Sequence, residues 1–167
     1  MQIVVADATP LNYLILIEAV ELLPKLFEKI YLPQEVADEL GTADAPEPVS
    51  SWMARPPSWI KVRKSEPSRG ADSSLNTLDF GERAAIQLAE MLRADLLLID
   101  EREGAAIAEQ RGLAVTGTLG VLDLADRTGL IDLREAFARL QRTNFRYPPS
   151  LMEKILKESE RRKKNKP

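Results

Sequence analysis

Two stretches decide how this chain is read: Ile3-Val4-Val5-Ala6-Asp7 and Leu96-Leu97-Leu98-Ile99-Asp100. Each is an unbroken apolar run, rich in β-branched residues and leucine, that ends on an aspartate. Such runs predict short strands buried on both faces of a parallel sheet. In open α/β sheets the ligand crevice lies at the carboxyl ends of the strands. Asp7 and Asp100 are therefore expected at the rim of one site despite their separation in sequence.

The rest of the chain alternates in the same way. Thr9-Pro10 reads as a helix cap followed by proline at the first helical position. The helix then runs through Leu11, Leu14 and Ile17 until Pro24 interrupts or ends it. A strand is expected at 30–32, and a helix over 34–40 closed by Gly41. Residues 42–78 hold much of the proline and serine, and only Trp59-Ile60-Lys61-Val62 reads as a strand. From Asp79 onward the pattern predicts a helix over 80–93, the strand 96–100, a helix 101–112, a strand 113–116 and helices near 121–127, 133–142 and 150–161. Strands alternating with helices predict an α/β fold, a three-layer α/β/α arrangement around a mostly parallel sheet of roughly four to five strands. One domain over 1–158 is expected, followed by a basic, disordered tail over 159–167.

Composition narrows the chemistry. The 167 residues include no His and no Cys, so a metal here must be held by oxygen. Magnesium or manganese suits such ligands, whereas a nitrogen- and sulfur-ligated zinc site is excluded, as are Ser-His and Cys-His nucleophilic pairs. The net charge of −3 excludes a uniformly basic nucleic-acid-coating protein, but not an enzyme with clustered acids and a basic surround. Arg55, Lys61, Arg63, Lys64 and Arg69 form one basic group; Arg161, Arg162, Lys163, Lys164 and Lys166 form another. No apolar run reaches membrane-spanning length and no basic signal region opens the chain, so a cytoplasmic protein is expected.

The acids each carry two readings. Asp7 is either ordinary turn chemistry or a free carboxylate, since Thr9 already serves as a cap. Asp100 could cap a helix starting at Glu101, with Asp100-x-x-Glu103 as a capping box. Glu101 is a spare ligand or a spectator beside it. Glu39 lies about 60° from Val36 on the helical wheel, at the edge of the apolar stripe. It also occupies a last turn, where the helix dipole disfavours negative charge, so it calls for a compensating cation. Glu82 is either the far end of an Asp79-x-x-Glu82 box or a ligand on the stripe of Ala85, Ile86 and Ala89. The turn 116–120 offers amides for a phosphate, but it lacks the P-loop lysine and reads better as a strand-to-helix turn. Trp52 and Trp59 are candidates for base stacking or for packing.

Taken together, Val5-Ala6-Asp7-Ala8-Thr9-Pro10, Val36-Ala37-Asp38-Glu39-Leu40, Phe80-Gly81-Glu82-Arg83-Ala84 and Leu98-Ile99-Asp100-Glu101 resemble the PIN domain, a nuclease fold that includes VapC-type toxins. Asp100-Glu101-Arg102-Glu103-Gly104 and the stretch Val115 to Leu122 resemble one branch, long catalogued as a PIN-like domain of unknown function. The resemblance implies that Asp7, Glu39, Glu82 and Asp100 are catalytic acids holding Mg2+ or Mn2+, with Thr9 steadying Asp7. It implies a ribonuclease, the toxin of a toxin–antitoxin pair, with an RNA substrate, a small antitoxin partner and a homodimer. Branch members carry arginine where this chain has Ala105 and lysine where it has Asp126, so two positive charges are missing. Three other classes stand beside this one. A haloacid dehalogenase-type phosphatase needs a second acid where Thr9 stands. A receiver domain needs paired acids near the first strand. A PIN-like binding module needs neither.

Overall fold

The computed structural model describes residues 2–66 and 73–165; Arg69 and Lys166 lie outside them. The chain divides into two compact units, residues 1–118 and 119–167.

The first unit is built on five strands among the described residues: β1 (Val4–Ala6), β2 (Ile30–Pro33), β3 (Ile60–Arg63), β4 (Leu96–Leu98) and β5 (Val115–Thr116). Their order is β3-β2-β1-β4-β5 and every pairing is parallel. The expected α/β class is therefore observed. Val4, Val5 and Ala6 are all fully buried, so the central strand is covered on both faces, as its unbroken apolar run predicts.

Among the described residues of this unit, six α-helices connect the strands: α1 (Ala8–Leu16), α2 (Leu22–Phe27), α3 (Gln34–Leu40), α4 (Glu47–Ala54), α5 (Phe80–Leu92) and α6 (Arg102–Gln110). α5 contributes Ala85, Ile86, Leu88 and Ala89 to a core cluster with Val5, Leu97, Ile99 and Ala108. Small side chains on that stripe let the helix lie close to the sheet. α5 stops where Arg93 turns left-handed at φ 52°, and its amide bonds back to the helix.

Several local expectations are corrected. α1 begins at Ala8, which puts Asp7 rather than Thr9 in the cap position. Pro24 lies in the first turn of α2, where a missing N–H costs nothing, so it helps start a helix instead of ending one. The break between α1 and α2 falls near Glu18, whose φ is 59°. Gly41 closes α3 at φ −90°, a right-handed cap needing no glycine. α4 was not anticipated; Val49 is its buried residue, which leaves almost no periodic signal.

The second unit continues α7 (Thr118–Arg127) into α8 (Leu133–Gln141) and α9 (Pro149–Lys164). Leu133, Phe137, Leu140 and Met152 are buried. The segment from 159, expected as a disordered tail, is helical through Lys164. Asp126 is the physical reason. Its buried carboxylate accepts from Ser159 Oγ at 2.5 Å and from the Leu133 amide at 3.2 Å, and it pairs with Lys163 at 3.1 Å. Arg162 bridges to Asp123 at 2.9 Å. Burial pushes the Asp126 carboxyl up, but the hydrogen bonds from Ser159 and Lys163 outweigh it and hold the group below its ordinary range. Among the described residues, no helix is long and apolar enough to cross a membrane.

Candidate functional site

Strand order reverses at β1. The chain builds outward through β2 and β3, then returns to place β4 on the other side. The carboxyl ends of β1 and β4 thus flank the switch point, where open α/β sheets form their crevice. The register pairs Ala6 with Leu98, and the Asp7 amide donates to the Leu98 carbonyl at 2.9 Å. Asp7 leaves the sheet one residue beyond that pair and Asp100 two residues beyond it.

Asp7 is only 3% exposed. It occupies the cap position of α1, yet its side chain makes no capping hydrogen bond to the helix. Burial above all pushes its carboxyl up to about 7; a hydrogen bond from the Ala8 amide opposes it, and the negative charges of Asp79, Glu82 and Glu39 add to the rise.

Gly81 shows where three acids converge. A Cβ on this residue would stand 2.9 Å from Glu39 Oε2, 3.5 Å from Asp7 Oδ1 and 3.6 Å from Asp79 Oδ1. The absent side chain leaves a cradle bounded by carboxylate oxygens. Glu39 reaches it from the last turn of α3, and α3 packs against α5. Desolvation and then Asp79 raise the Glu39 carboxyl above its ordinary value. Among the described residues, the charge that shifts Glu39 is thus another acid, not a compensating lysine or arginine.

Asp79 was read from sequence only as a capping residue for Glu82, and it does cap: Oδ1 accepts from the Glu82 amide at 2.8 Å. It also shifts Asp7, Glu39 and Glu82 upward, which makes it an electrostatic member of the cluster. The Asp-Phe-Gly-Glu spacing held this signal. A cap and a third-position acid share one helix start, and the glycine between them leaves space for other oxygens. Glu82 itself is 8% exposed. Burial first, then Asp79, Glu101 and Glu103, pushes it to about 7, with the Asp79 backbone interaction opposing. Gly104 permits this crowding, since a Cβ there would meet Ile99 Cδ1 at 2.8 Å and lie 3.8 Å from Glu82 Cδ.

Asp100 is held separately. Its Oδ1 accepts from the Thr118 amide and its Oδ2 from the Thr118 hydroxyl, both at 2.7 Å. The cap position of α6 belongs to Glu101, so Asp100 does not cap that helix. It braces the strand-to-helix turn after β5 instead, and the Thr118 amide is thereby taken. Gly117 is required there, because a Cβ would come within 2.5 Å of Asp100 Oδ1. Burial raises the Asp100 carboxyl, the two Thr118 hydrogen bonds lower it, and Glu101 adds to the upward shift; the net is upward. Thr9 lies half-buried in the first turn of α1. Trp52 and Trp59 lean on each other at 5.8 Å and 53°, and Arg63 lies 5.7 Å over Tyr31.

The side chains so gathered are oxygen donors without exception, and the charges that shift Asp7, Glu39 and Glu82 are all carboxylates. That donor chemistry and the Gly81 cradle fit a hard divalent cation. As the side chains stand, no three acids among the described residues are already at ligand spacing. The family model DUF3368, described as a PIN domain, matches residues 3–161. No curated protein and no solved structure gives a significant match.

Proposed function

The chain belongs to the PIN-domain family, whose members are generally nucleases, and on that premise we propose that it is a divalent-metal-dependent endoribonuclease acting as the toxin of a toxin–antitoxin pair. The observation that carries the reading is the meeting of Asp7, Glu39 and Asp79 around Gly81, with Glu82 one helical step away. In this assignment Asp7 and Asp100 hold Mg2+ or Mn2+ directly, Glu82 holds it directly or through water, and Glu39 serves a second ion or orients the attacking water. Thr9 steadies Asp7. The bound ion supplies charge neutralisation and Lewis acidity for phosphodiester hydrolysis.

The chain's own residues prepare that chemistry. Asp7 and Glu82, with carboxyls near 7, each retain a proton on part of the population at neutral pH while the acids face one another alone. Asp100 is fixed in rotamer by Thr118, which keeps one carboxylate oriented at the β4 edge. No histidine base is needed on this route, in keeping with a chain that has none. The substrate is single-stranded or loop RNA, and the partners are a second copy of the chain and a small antitoxin, all in the cytoplasm.

The test is cleavage of single-stranded RNA with manganese or magnesium and with chelator, for wild type and Asp7→Asn. Metal-dependent cleavage that the substitution abolishes is expected. A wild type that binds RNA without cutting it in either metal overturns the enzymatic reading in favour of a binding module, a role in which Asp79 and Asp100 act as helix braces only.

A further inference from the structure

The first residue of α5 is Phe80, and it is 78% exposed. An apolar ring in water forgoes the stabilisation that burial would give. This ring is nevertheless not loose. Arg83, one helical turn on, places its guanidinium 5.6 Å from the ring centroid. Arg83 is itself tied down, donating from Nε to the Leu75 carbonyl at 3.2 Å and from Nη2 to the Leu78 carbonyl at 3.3 Å. Both acceptors are neutral carbonyls, so neither brings an opposing charge to the guanidinium behind the ring. The result is a preformed cation–π stack, anchored on one side and open to solvent on the other.

Its position gives it meaning. Phe80 sits between Asp79, which caps the helix, and Gly81, whose missing side chain borders Glu39 and Asp7. Successive helical residues project about 100° apart, so the ring flanks the carboxylate cradle instead of filling it. A polyanionic strand approaching a group of acids needs a contact that does not depend on phosphate charge. Base stacking on an aromatic face is such a contact, and it tolerates any base.

We propose that Phe80, backed by Arg83, is the stacking platform for the nucleobase next to the phosphodiester engaged at the carboxylate cluster. The proposal rests on the ribonuclease reading and adds to it a residue that positions substrate. Arg83 acts through Phe80 by holding the ring's orientation.

The experiment uses a short single-stranded RNA carrying 2-aminopurine at successive positions, titrated in chelator with wild type, Phe80→Leu and Phe80→Tyr. Stacking quenches this base, whereas apolar contact without a ring does not. Quenching at one position is expected for wild type and Phe80→Tyr and is absent for Phe80→Leu, with affinity lower by about tenfold. The salt dependence of binding stays the same, since no phosphate contact is removed. In manganese, the Phe80→Leu cleavage defect falls on KM more than on kcat and is rescued by Phe80→Tyr. The exposed ring can change without unfolding, which a thermal melt checks. Equal affinity and equal quenching in Phe80→Leu, with wild-type cleavage intact, overturn the platform and leave the nuclease standing. A Phe80→Leu effect confined to self-association, seen by sedimentation, overturns it in favour of a protein interface. A wild type that neither binds nor cuts RNA overturns the nuclease reading, and the platform with it.

Discussion

Gly81→Ala separates the fold from the site in a single atom group. The added Cβ would stand 2.9 Å from Glu39 Oε2, which is 0.5 Å inside the 3.4 Å of ordinary contact, while its distances to Asp7 and Asp79 oxygens, 3.5 Å and 3.6 Å, are already acceptable. Only Glu39 must yield, and its carboxylate is the far end of a flexible side chain. The backbone gains, because alanine is favoured over glycine in a helix by up to about 1 kcal/mol. For a chain of this size that is a rise of roughly 2–4 °C at most in chelator. Catalysis should move the other way. A misplacement near 1 Å can cost about a hundredfold, so half that displacement of one acid is expected to cost about tenfold in cleavage rate. The increment in melting temperature on adding manganese should shrink as well. Paired melts with chelator and with manganese, plus single-turnover cleavage, read all three quantities. A drop in metal-free stability would show that the backbone itself needs glycine. Unchanged manganese increment and unchanged cleavage would refute the placement of Glu39 at the ion.

Four further outcomes follow from the same geometry. Asp7 and Glu82 have folded-state carboxyls near 7 against ordinary values of 3.8 and 4.5, so between those limits the folded metal-free protein binds more protons than the unfolded chain. The stability that these two groups contribute is fully present below their ordinary values and is lost as pH rises through about 7; Asp7→Asn should flatten that slope in chemical denaturation, and a slope between about pH 5 and 7 that the substitution leaves unchanged would refute the cluster. Glu39→Gln relieves repulsion from Asp79, so it should be neutral or slightly stabilising in chelator and should reduce the manganese increment; destabilisation with an unchanged increment would instead mark a structural role. Asp100→Asn should abolish cleavage at little cost in stability, because its Oδ1 can still accept from the Thr118 amide while its Nδ2–H donates to the Thr118 hydroxyl oxygen; full cleavage would refute the assignment. Truncation after Ser159 removes Arg162 and Lys163 from buried Asp126 and should lower the melting temperature, whereas Arg161→Ala with Lys164→Ala should spare it and only weaken RNA binding at low salt.

What the sequence revealed and what it hid divide along the range of the interactions. β1 and β4 were legible because a strand buried on both faces has to be apolar at every position, and Val4-Val5-Ala6 and Leu96-Leu97-Leu98 are. α5 was legible because one stripe faces the core. α4 was not, since a helix with one buried residue carries no period. The order of α9 was hidden for a different reason: its anchor Asp126 lies 33 residues before Ser159, and no local pattern joins them. The absence of a lysine at 126 looked like a lost phosphate contact, yet the aspartate there fastens a helix. At the site, the strand-end and helix-edge positions singled out Asp7, Glu39 and Glu82, and the structure gathers them. Asp79 was overlooked because capping already explained it, and one satisfied hydrogen bond says nothing about the remaining oxygen.

The ends of three helices meet at that gathering. Asp7 stands at the amino end of α1 and Asp79 at the amino end of α5, where unpaired amides present roughly half a positive charge each. Glu39 comes from the carboxyl end of α3, where the dipole has the opposite sign. The helix ends therefore contribute a net of about half a positive charge against four carboxylates, Asp7, Glu39, Asp79 and Glu82. Dipoles of this size ease the burial of one acid and leave the others in excess; burial first, and then this excess, draws protons to Asp7 and Glu82 near pH 7. A proton and a divalent ion compete for the same oxygens. On the proposed assignment, manganese should bind more tightly as pH rises from about 6 to about 8, and the bound ion should return the stability that the metal-free protein loses over that span. Metal affinity that does not change with pH over this range would mean that the ion, wherever it binds, does not displace these protons.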